Sequence, residues 1–345
     1  MATIASLVVR IGADISNFEQ NMTQMQRSMR TVGDKLTSVG KTMTASVTAP
    51  LAGLGIAAVA TGAKFDEQMS KVKAITGATG KEFDALRSQA MELGATTQFS
   101  ASQAAEGMEF LARAGWKTEQ IMAAMPGMLD LAAAAAMDLG TAADITSNIM
   151  TGFSINASEA GHVADVLAYA AANANTDVEQ MGYAMKYLSP VADSMRWSLE
   201  QTTAAVMAFA EQGIRGEQAG AAFSTSIQRM TKPTGEAKKI MDELGMSFFD
   251  SQGKMKPLVD VVKELETKTA GMTDQQKAAT LTTLFGAEAY KHWNTLLKTG
   301  SKELDTMSTN LEKSDGFAEK TAKTMNNNLM GAFRSLISAI ENMAI

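Results

Sequence analysis

Residues 100–115 read SASQAAEGMEFLARAG, and this stretch contains the start and stop signals of one amphipathic helix. Ser100 and Gln103 have the spacing of a capping box, in which each side chain accepts a hydrogen bond from the other residue's backbone amide. Gly115 stands where the helix should end, because glycine adopts the left-handed conformation of a C-terminal cap at little steric cost. The stretch therefore predicts a short helix that begins after Ser100 and ends near Gly115.

The same pattern recurs from Lys64 to about Gly300, which indicates a helical domain over residues 64–300. The other capping pairs are Thr176 with Glu179, Ser198 with Gln201, Thr273 with Gln276, and Asn156 with Glu159. The other glycines at predicted helix ends are Gly94, Gly140, Gly213, Gly245, Gly286 and Gly300. We predict about a dozen short helices, a kink at Pro126 and one small β-hairpin around Asp250–Gly253.

The composition favours an all-α fold and excludes several kinds of site. Five prolines in 345 residues, 46% apolar side chains and few β-branched runs suit helices. The chain has no cysteine, which excludes disulfides, thiol nucleophiles and thiolate-bound metals, and it has only two histidines. We therefore predict no metal and no cofactor.

The charge is unevenly distributed along the chain. The net charge is −6 overall, yet residues 101–230 carry six basic and fourteen acidic side chains, a net of −8. Residues 1–64 carry six basic and three acidic side chains, a net of +3. The middle of the chain should repel a polyanion, so we predict no specific nucleic-acid binding; the alternative is that these are ordinary solvated faces.

The first 44 residues predict a short strand followed by a coiled-coil helix. Residues 1–13 contain the alternating Leu7, Val9 and Ile11 and lack the pattern of a secretory signal, which favours synthesis in the cytoplasm. Residues 14–44 have apolar side chains at alternating spacings of three and four, typical of a coiled-coil seam. The seam consists of Ile15, Phe18, Met22, Met25, Met29, Val32, Leu36, Val39 and Met43. It predicts either self-association with other copies or packing of this helix against its own chain.

An uncharged segment follows the seam, between Lys41 and Lys64. Residues 45–63 within it are rich in glycine and alanine, and the uncharged run reaches the length of about 20 residues that crosses a bilayer. Its membrane-segment candidates are Leu51, Leu54, Ile56 and Val59. Because the segment is weakly apolar and contains Pro50, a packed helix or transient insertion competes with a stable transmembrane helix.

The sequence contains no catalytic constellation. Gly40-Lys41-Thr42 ends like a phosphate-binding loop, but Lys35 stands where that loop needs its first glycine. His162 and His292 are far apart in sequence, and each lacks a nearby second ligand, so we interpret both as surface or packing residues. We predict that the protein is not an enzyme.

An ordered set of short motifs over residues 64–298 resembles the core of phage tail tape measure proteins. The motifs are Phe65-Asp66-Glu67-Gln68-Met69, Gly77-Ala78-Thr79, Leu93-Gly94, Phe99-Ser100-Ala101, Leu111-Ala112-Arg113-Ala114-Gly115, Pro126, Leu131-Ala132, Asp165-Val166-Leu167-Ala168, Gly213-Ile214-Arg215-Gly216-Glu217-Gln218-Ala219-Gly220, Lys232-Pro233-Thr234, Leu244-Gly245-Met246, Asp250 to Gly253, and Phe285-Gly286. The strand, the long helix and the Gly/Ala-rich segment before them are similar to that family's usual start.

The resemblance implies a structural virion protein of the tail tube lumen. Such a protein sets tail length during assembly and leaves ahead of the DNA at ejection. The implied partners are other copies of itself, the tail tube protein, tail tip or baseplate proteins, tail assembly chaperones and, transiently, the host inner membrane. Two alternatives from other classes are a membrane-perforating effector and a tail protein associated with cell-wall hydrolysis.

Two departures from the family pattern carry expectations of their own. Arg196-Trp197 stands where the family tends to have a glycine. Because a residue other than glycine is strained there if it is left-handed, this loop should either differ from the family's or make a specific contact. Residues 301–345 predict a C-terminal helical segment whose last apolar seam stops in mid-pattern. We therefore expect this chain to be the N-terminal portion of a longer protein, or a short family member.

Overall fold

The computed structural model describes residues 49–326, with side chains from residue 62 onward. The predicted strand at 1–13 and the coiled-coil seam at 15–43 lie outside the described residues. The chain divides between residues 60 and 61 into two compact units, and every helix from residue 81 onward belongs to the second unit. The helices are α1 (Ala49–Thr76), α2 (Lys81–Thr96), α3 (Ala101–Arg113), α4 (Thr118–Ala134), α5 (Leu139–Gly152), α6 (Ala160–Asn173), α7 (Val178–Ser194), α8 (Leu199–Glu211), α9 (Gly216–Thr231), α10 (Gly235–Leu244), α11 (Leu258–Thr269), α12 (Asp274–Phe285), α13 (Tyr290–Thr299), α14 (Ser301–Glu312) and α15 (Phe317–Asn326). The all-α prediction is confirmed.

Several helices begin at the predicted capping residues. The Ser100 side chain accepts from the amide of Gln103, whose own side chain accepts from the Ser100 amide at 2.9 Å. Thr273 and Gln276 form the same box at the start of α12. At α8 only half of the box forms: Ser198 accepts from the Gln201 amide, while the Gln201 side chain accepts from Leu258 instead.

The other two predicted caps, Thr176 and Asn156, have different outcomes. The prediction of Thr176 as a cap is wrong, because the carboxylate of the next residue, Asp177, accepts from the Gln180 amide at 2.7 Å. Asn156 and Glu159 form a capping box, as predicted: the Glu159 carboxylate accepts from the Asn156 amide, and the 3₁₀ turn that the pair opens (Ala157–Glu159) leads directly into α6.

Six helices end in the same hydrogen-bonded turn. In each, a residue with positive φ follows the helix, and the next, apolar residue donates its amide to a carbonyl five residues earlier, at 2.8 to 3.1 Å. The apolar residues are Trp116, Met137, Ile155, Trp197, Ile214 and Met246. The turn satisfies carbonyls at the helix end while directing an apolar side chain back towards the core. The turn therefore fixes the direction in which the chain leaves each of these helices.

Two of the predicted glycine stops are wrong. Gly94 lies inside α2, and Gly140 lies in the first turn of α5. A methyl group at Gly140 would come within 2.5 Å of the ring of Phe110. This glycine is therefore a packing residue that lets α3 and α5 approach. Gly115, Gly213, Gly245, Gly286 and Gly300 all follow helices with positive φ, as predicted.

The helices of the second unit form two rows. The first row is α3, α5, α7 and α9, and the second is α4, α6 and α8; within a row, each helix packs against the next member. Successive helices in sequence therefore alternate between the rows. The central helix α8 is buried without interruption from residue 202 to residue 210, because both rows and the later helices surround it.

The last helices return across the second row. Helix α13 packs on α8, α14 packs on α8 and α6, and α15 packs on α6 and α4. An aromatic cluster fills the junction of α8, α9, α12 and α13, where the rings of Phe285 on α12 and Trp293 on α13 stack at 3.9 Å. Trp293 donates to the buried Ser226 hydroxyl, and Trp197 donates to the Lys256 carbonyl at 2.9 Å. The block is thus closed by its own C-terminal helices.

The predicted β-hairpin is smaller than expected. The chain does reverse at Asp250–Gly253, but a single antiparallel bridge between Phe249 and Met255 closes it, with no strand on either side among residues 49–326. The Asp250 carboxylate accepts from the amides of Gln252 and Lys254, which stabilises the turn itself. The turn residues reverse the direction of the chain, but the residues on either side form no further β-bridge.

Arg196 has φ of +61°, a left-handed conformation that costs a residue with a Cβ atom about 1–2 kcal/mol. Replacing Arg196 by glycine should therefore raise the free energy of unfolding by about 0.5–1 kcal/mol, after allowance for the larger entropy of glycine in the unfolded chain. Urea denaturation of the full chain measures this change.

Gly115→Ala is the matched control, because Gly115 has φ of +85° and a methyl group at this position would meet nothing within 4 Å. This variant should lose about 1 kcal/mol for backbone reasons alone. If Arg196→Gly were neutral or destabilising, the left-handed strain at this turn would be refuted.

Candidate functional site

The sequence predictions for functional residues fall at the start of the chain. The seam residues Ile15 to Met43 lie outside the described residues. The membrane-segment candidates lie along the backbone of α1, and both sets stay predictions. No helix within residues 49–326 combines the length and apolarity needed to cross a membrane. In the same part of the chain, no group of His, Asp and Glu side chains is arranged to hold a metal ion.

The structure brings polar side chains together where α15 meets α6. Asp165 is a buried residue of α6, 8% exposed, in an otherwise apolar stretch of the helix. Its two carboxylate oxygens accept hydrogen bonds from the amides of Gly316 and Ala318, each at 2.8 Å. These amides belong to the first turn of α15, where backbone donors lack intrahelical partners and the helix dipole favours a negative charge. Asp165 therefore caps α15 from a position far away in sequence.

His162 lies one turn before Asp165 on the same face of α6. Its Nε2 atom is 2.8 Å from a carboxylate oxygen of Glu200 on α8, and its Nδ1 atom is 2.7 Å from Asp315. The hydrogen bond to Glu200, with a further bond to Asp315, raises the pKa of His162 to about 9 against the opposing effect of burial. At neutral pH the ring is a cation that donates to both carboxylates. We call Asp165, His162, Glu200 and Asp315 the α15 anchor.

Burial raises the pKa of both Glu200 on α8 and Asp130 on α4, but the net shifts of the two carboxyl groups are opposite. Burial alone would raise the pKa of Glu200, but hydrogen bonds from His162 and Ser198 outweigh it and leave the pKa lowered. Across the helix, burial raises the pKa of Asp130 on α4 to about 6, and the nearby Glu319 and Asp165 carboxylates add to this effect. The histidine therefore stabilises the docked helix, whereas ionisation of Asp130 opposes it.

Apolar contacts complete the docking of α15. Ala318 and Ala322 are buried, and the ring of Phe317 meets Tyr169 of α6 edge to face, with centroids 5.2 Å apart. The small alanine side chains let the helix lie close to α4 and α6. The anchor thus joins polar capping to an apolar interface.

Sequence analysis interprets both histidines as surface or packing residues, whereas the structure gives them different roles. His292 is fully buried and donates through Nε2 to the Gln218 carbonyl, and burial lowers its pKa, so the packing prediction is confirmed. His162 instead links three segments. The signal for it was the spacing His162-x-x-Asp165, which places both side chains on one helical face, but nothing in the sequence identified Glu200 or Asp315 as partners.

The α15 anchor should make stability depend on pH in a defined window. The pKa of His162 rises from its usual 6.5 to about 9 on folding, so its contribution is complete below pH 6.5 and is lost as the pH rises through about 9. Relative to His162→Gln, the wild-type chain should be more stable at pH 6, and the two should converge above pH 9. Urea denaturation across this range measures the difference.

Asp130→Asn is the control variant, because Asp130 should affect the free energy of unfolding in a different pH range. Because the folded pKa of Asp130 is raised from 3.8 to about 6, ionisation penalises the wild-type chain as the pH rises from 4 to 6. The Asn variant should gain relative stability only in that lower range. A His162→Gln difference that stayed constant from pH 6 to pH 10 would contradict the charged histidine.

Comparison with known proteins agrees with this all-helical block. The sequence model of the phage-related minor tail protein family matches residues 87–286, which extend from α2 to the end of α12. No solved structure matches the chain.

Three curated relatives carry the name tape measure protein or probable tape measure protein. The tape measure protein of Pneumococcus phage Dp-1 is 41% identical over 350 residues, covering 99% of this chain and 30% of that protein. The probable tape measure protein of Escherichia phage P2 is 32% identical over 304 residues, 84% of this chain and 37% of that protein. That of Clostridium phage phiCD119 is 24% identical over 302 residues, 78% of this chain and 32% of that protein.

This chain spans about a third of the length of the relatives that it matches. The family match nevertheless covers most of the block, including every helix of both rows. The chain therefore belongs to the family of phage-related minor tail proteins, the tape measure proteins of phage tails.

Proposed function

We propose that this chain is part of a structural protein that lies in the lumen of the phage tail tube, sets tail length during assembly and leaves ahead of the DNA at ejection. The observation that carries the proposal is the family match over residues 87–286, together with the relatives named as tape measure proteins. The protein acts by its shape and length and catalyses no reaction.

The partners that we propose follow from this role. Copies of the chain associate along the tube axis through the seam residues at 15–43, and the tail tube protein surrounds them. Tail tip or baseplate proteins and tail assembly chaperones bind during assembly, and residues 42–63 contact the host inner membrane transiently. The net charge of −8 over residues 101–230 keeps the protein from adhering to the genome that follows it.

Within this proposal the two-row block contributes little to the measured length. A single continuous helix rises 1.5 Å per residue, so the roughly 260 residues from Lys64 to Asn326 would span about 390 Å if extended. A compact block of that size has a radius of gyration of about 18 Å and a width of roughly 50 Å. Length is therefore measured elsewhere in the protein, and this block forms a folded element at one place along it.

Tail length tests both parts of the proposal. In a phage genome that carries this gene, a tandem duplication of residues 64–326 should lengthen the tail by at most about 50 Å, because the second copy folds as a compact block. Electron microscopy of negatively stained particles measures the change. As the control, inserting an equal number of residues with continuous helical heptads should lengthen the tail by about 390 Å.

The possible tail lengths test the compact form of the block and the length-setting function separately. Tails that lengthen by about 390 Å with the duplicated block would show that the block is extended in the tube, which contradicts its compact role. Tails of unchanged length with both insertions would contradict the length-setting function itself. Unchanged tails combined with a loss of infection would favour the membrane-perforating alternative.

A further inference from the structure

Exposed aromatic side chains concentrate on the first row of helices. Among residues 62–326, five large apolar side chains are more than a third exposed, and three of them are Phe110, Tyr183 and Tyr187. Phe110 lies on α3, and the two tyrosines lie one turn apart on α7. Since both helices belong to one row with α5 between them, the three rings border the same face of the block.

A groove of about 350 Å³ lies between these helices. Phe110 and Tyr183 form its walls, and Gly140, Ile145 and Gly182 lie between them. The Phe110 ring fills the space that a side chain at Gly140 would occupy, and Ile145 fills the corresponding space at Gly182. The Phe110 ring packs directly against the backbone at Gly140, and this contact holds it in place although the side chain is 40% exposed. We call these residues the aromatic groove.

The border of the aromatic groove is acidic. The carboxylates of Asp138, Asp144 and Glu179 line it, against the single lysine Lys186. Asp138 is fixed by hydrogen bonds from the hydroxyl and amide of Thr141, which lower its pKa, so it stays ionised. The groove therefore presents fixed negative charge beside exposed apolar surface.

Hydrogen bonds hold the tyrosines with their rings outward. The Tyr183 hydroxyl donates to Glu179 at 2.9 Å, and the Tyr187 hydroxyl donates to Glu217 of α9 at 2.6 Å. Each ring thus has a carboxylate at its polar end and an exposed face. Exposed faces of tyrosine attract Lys and Arg by cation–π interaction, and a neighbouring carboxylate strengthens that attraction.

We propose that the aromatic groove binds a cationic amphipathic helix of a partner protein, whose apolar face contacts Phe110 and Tyr183 and whose Lys or Arg side chains contact the bordering carboxylates. Helices bind grooves of this kind through a few apolar anchors, and aromatic residues dominate the binding energy of such interfaces. This inference goes beyond the length-setting role and does not depend on it.

The charge decides among the possible occupants. Residues 101–230 carry a net charge of −8, so a second copy presenting this face would place acidic surface against acidic surface. Nucleic acid and anionic lipid are repelled for the same reason. A basic helical segment is the occupant that matches both the apolar walls and the acidic border.

A synthetic 18-residue peptide with leucines on one helical face and lysines on the other serves as the probe. Fluorescence anisotropy with the full 345-residue chain should show binding that weakens as salt rises. The double variant Phe110→Ala, Tyr183→Ala should bind at least about tenfold more weakly, since it removes both walls. The same peptide with glutamates in place of lysines should not bind.

Matched variants separate the groove from general adhesion to an acidic protein. Ile75→Ala with Met325→Ala removes exposed apolar side chains elsewhere and should leave binding within twofold. Asp144→Lys with Glu179→Lys should abolish binding, whereas Glu303→Lys with Asp305→Lys, exposed on α14, makes the same charge change and should not. Urea denaturation confirms that each variant is folded.

Three results would overturn the proposal. The first is no binding by the wild-type chain at micromolar peptide. The second is equal loss in the groove variants and their controls, which would mean non-specific adhesion. The third is a change of oligomeric state in the Phe110→Ala, Tyr183→Ala variant by analytical ultracentrifugation, which would identify the groove as an interface between copies. Tail length in phage is unaffected by this experiment, so its failure leaves the length-setting proposal standing.

Discussion

Close approach of alternate helices at glycine residues is the constraint on which the two-row block depends. A methyl group at Gly220 of α9 would come within 2.3 Å of the Ala184 carbonyl oxygen on α7, and one at Gly127 of α4 within 2.7 Å of Cα of Gly161 on α6. Gly182 brings α7 onto α5 in the same way, against the side chain of Ile145. Since the contacts at Gly220 and Gly127 involve backbone, they cannot be relieved by a rotamer change, and the spacing of both rows follows from them.

The α15 anchor holds the last helices against the two rows whose spacing the glycine contacts determine. Asp165 and His162 lie in the middle of the chain and bind residues that follow α14, so the C-terminal helices are held across the second row. The helix cap formed by Asp165 and the hydrogen bonds from His162 to two carboxylates require a defined geometry, whereas the apolar contacts beside them do not. The block can therefore serve as one folded element of a tail protein, with the aromatic groove on its opposite row left open to a partner.

How much of this was predictable depended on how local the interaction was. Ser100 and Thr273 were identified as caps because both partners of a capping box lie three residues apart. At Arg196 the local pattern predicted strain on the condition that the residue is left-handed, and its φ of +61° fulfils that condition. Asp165 enters the sequence analysis only within the motif Asp165-Val166-Leu167-Ala168, and its capping role was not predicted because its partners lie about 150 residues away in sequence.

Gly140 was misinterpreted for a related reason. A glycine in a predicted helix is either a stop or a point of close packing, and only the position of Phe110 on another helix decides which. The aromatic groove was missed because its walls come from α3 and α7, which no local pattern connects. The sequence thus predicts the elements, and tertiary contacts between distant residues create the candidate sites.

The measurement that tests the glycine constraint most directly compares Gly220→Ala with Gly161→Ala by urea denaturation. Both glycines lie in helices, where alanine alone would stabilise by up to about 1 kcal/mol. A methyl group at Gly161 meets nothing within 4 Å, so that variant should be stabilised. Gly220→Ala should lose about 2–3 kcal/mol, because its methyl group overlaps the Ala184 carbonyl. Equal stabilisation in both variants would contradict the account.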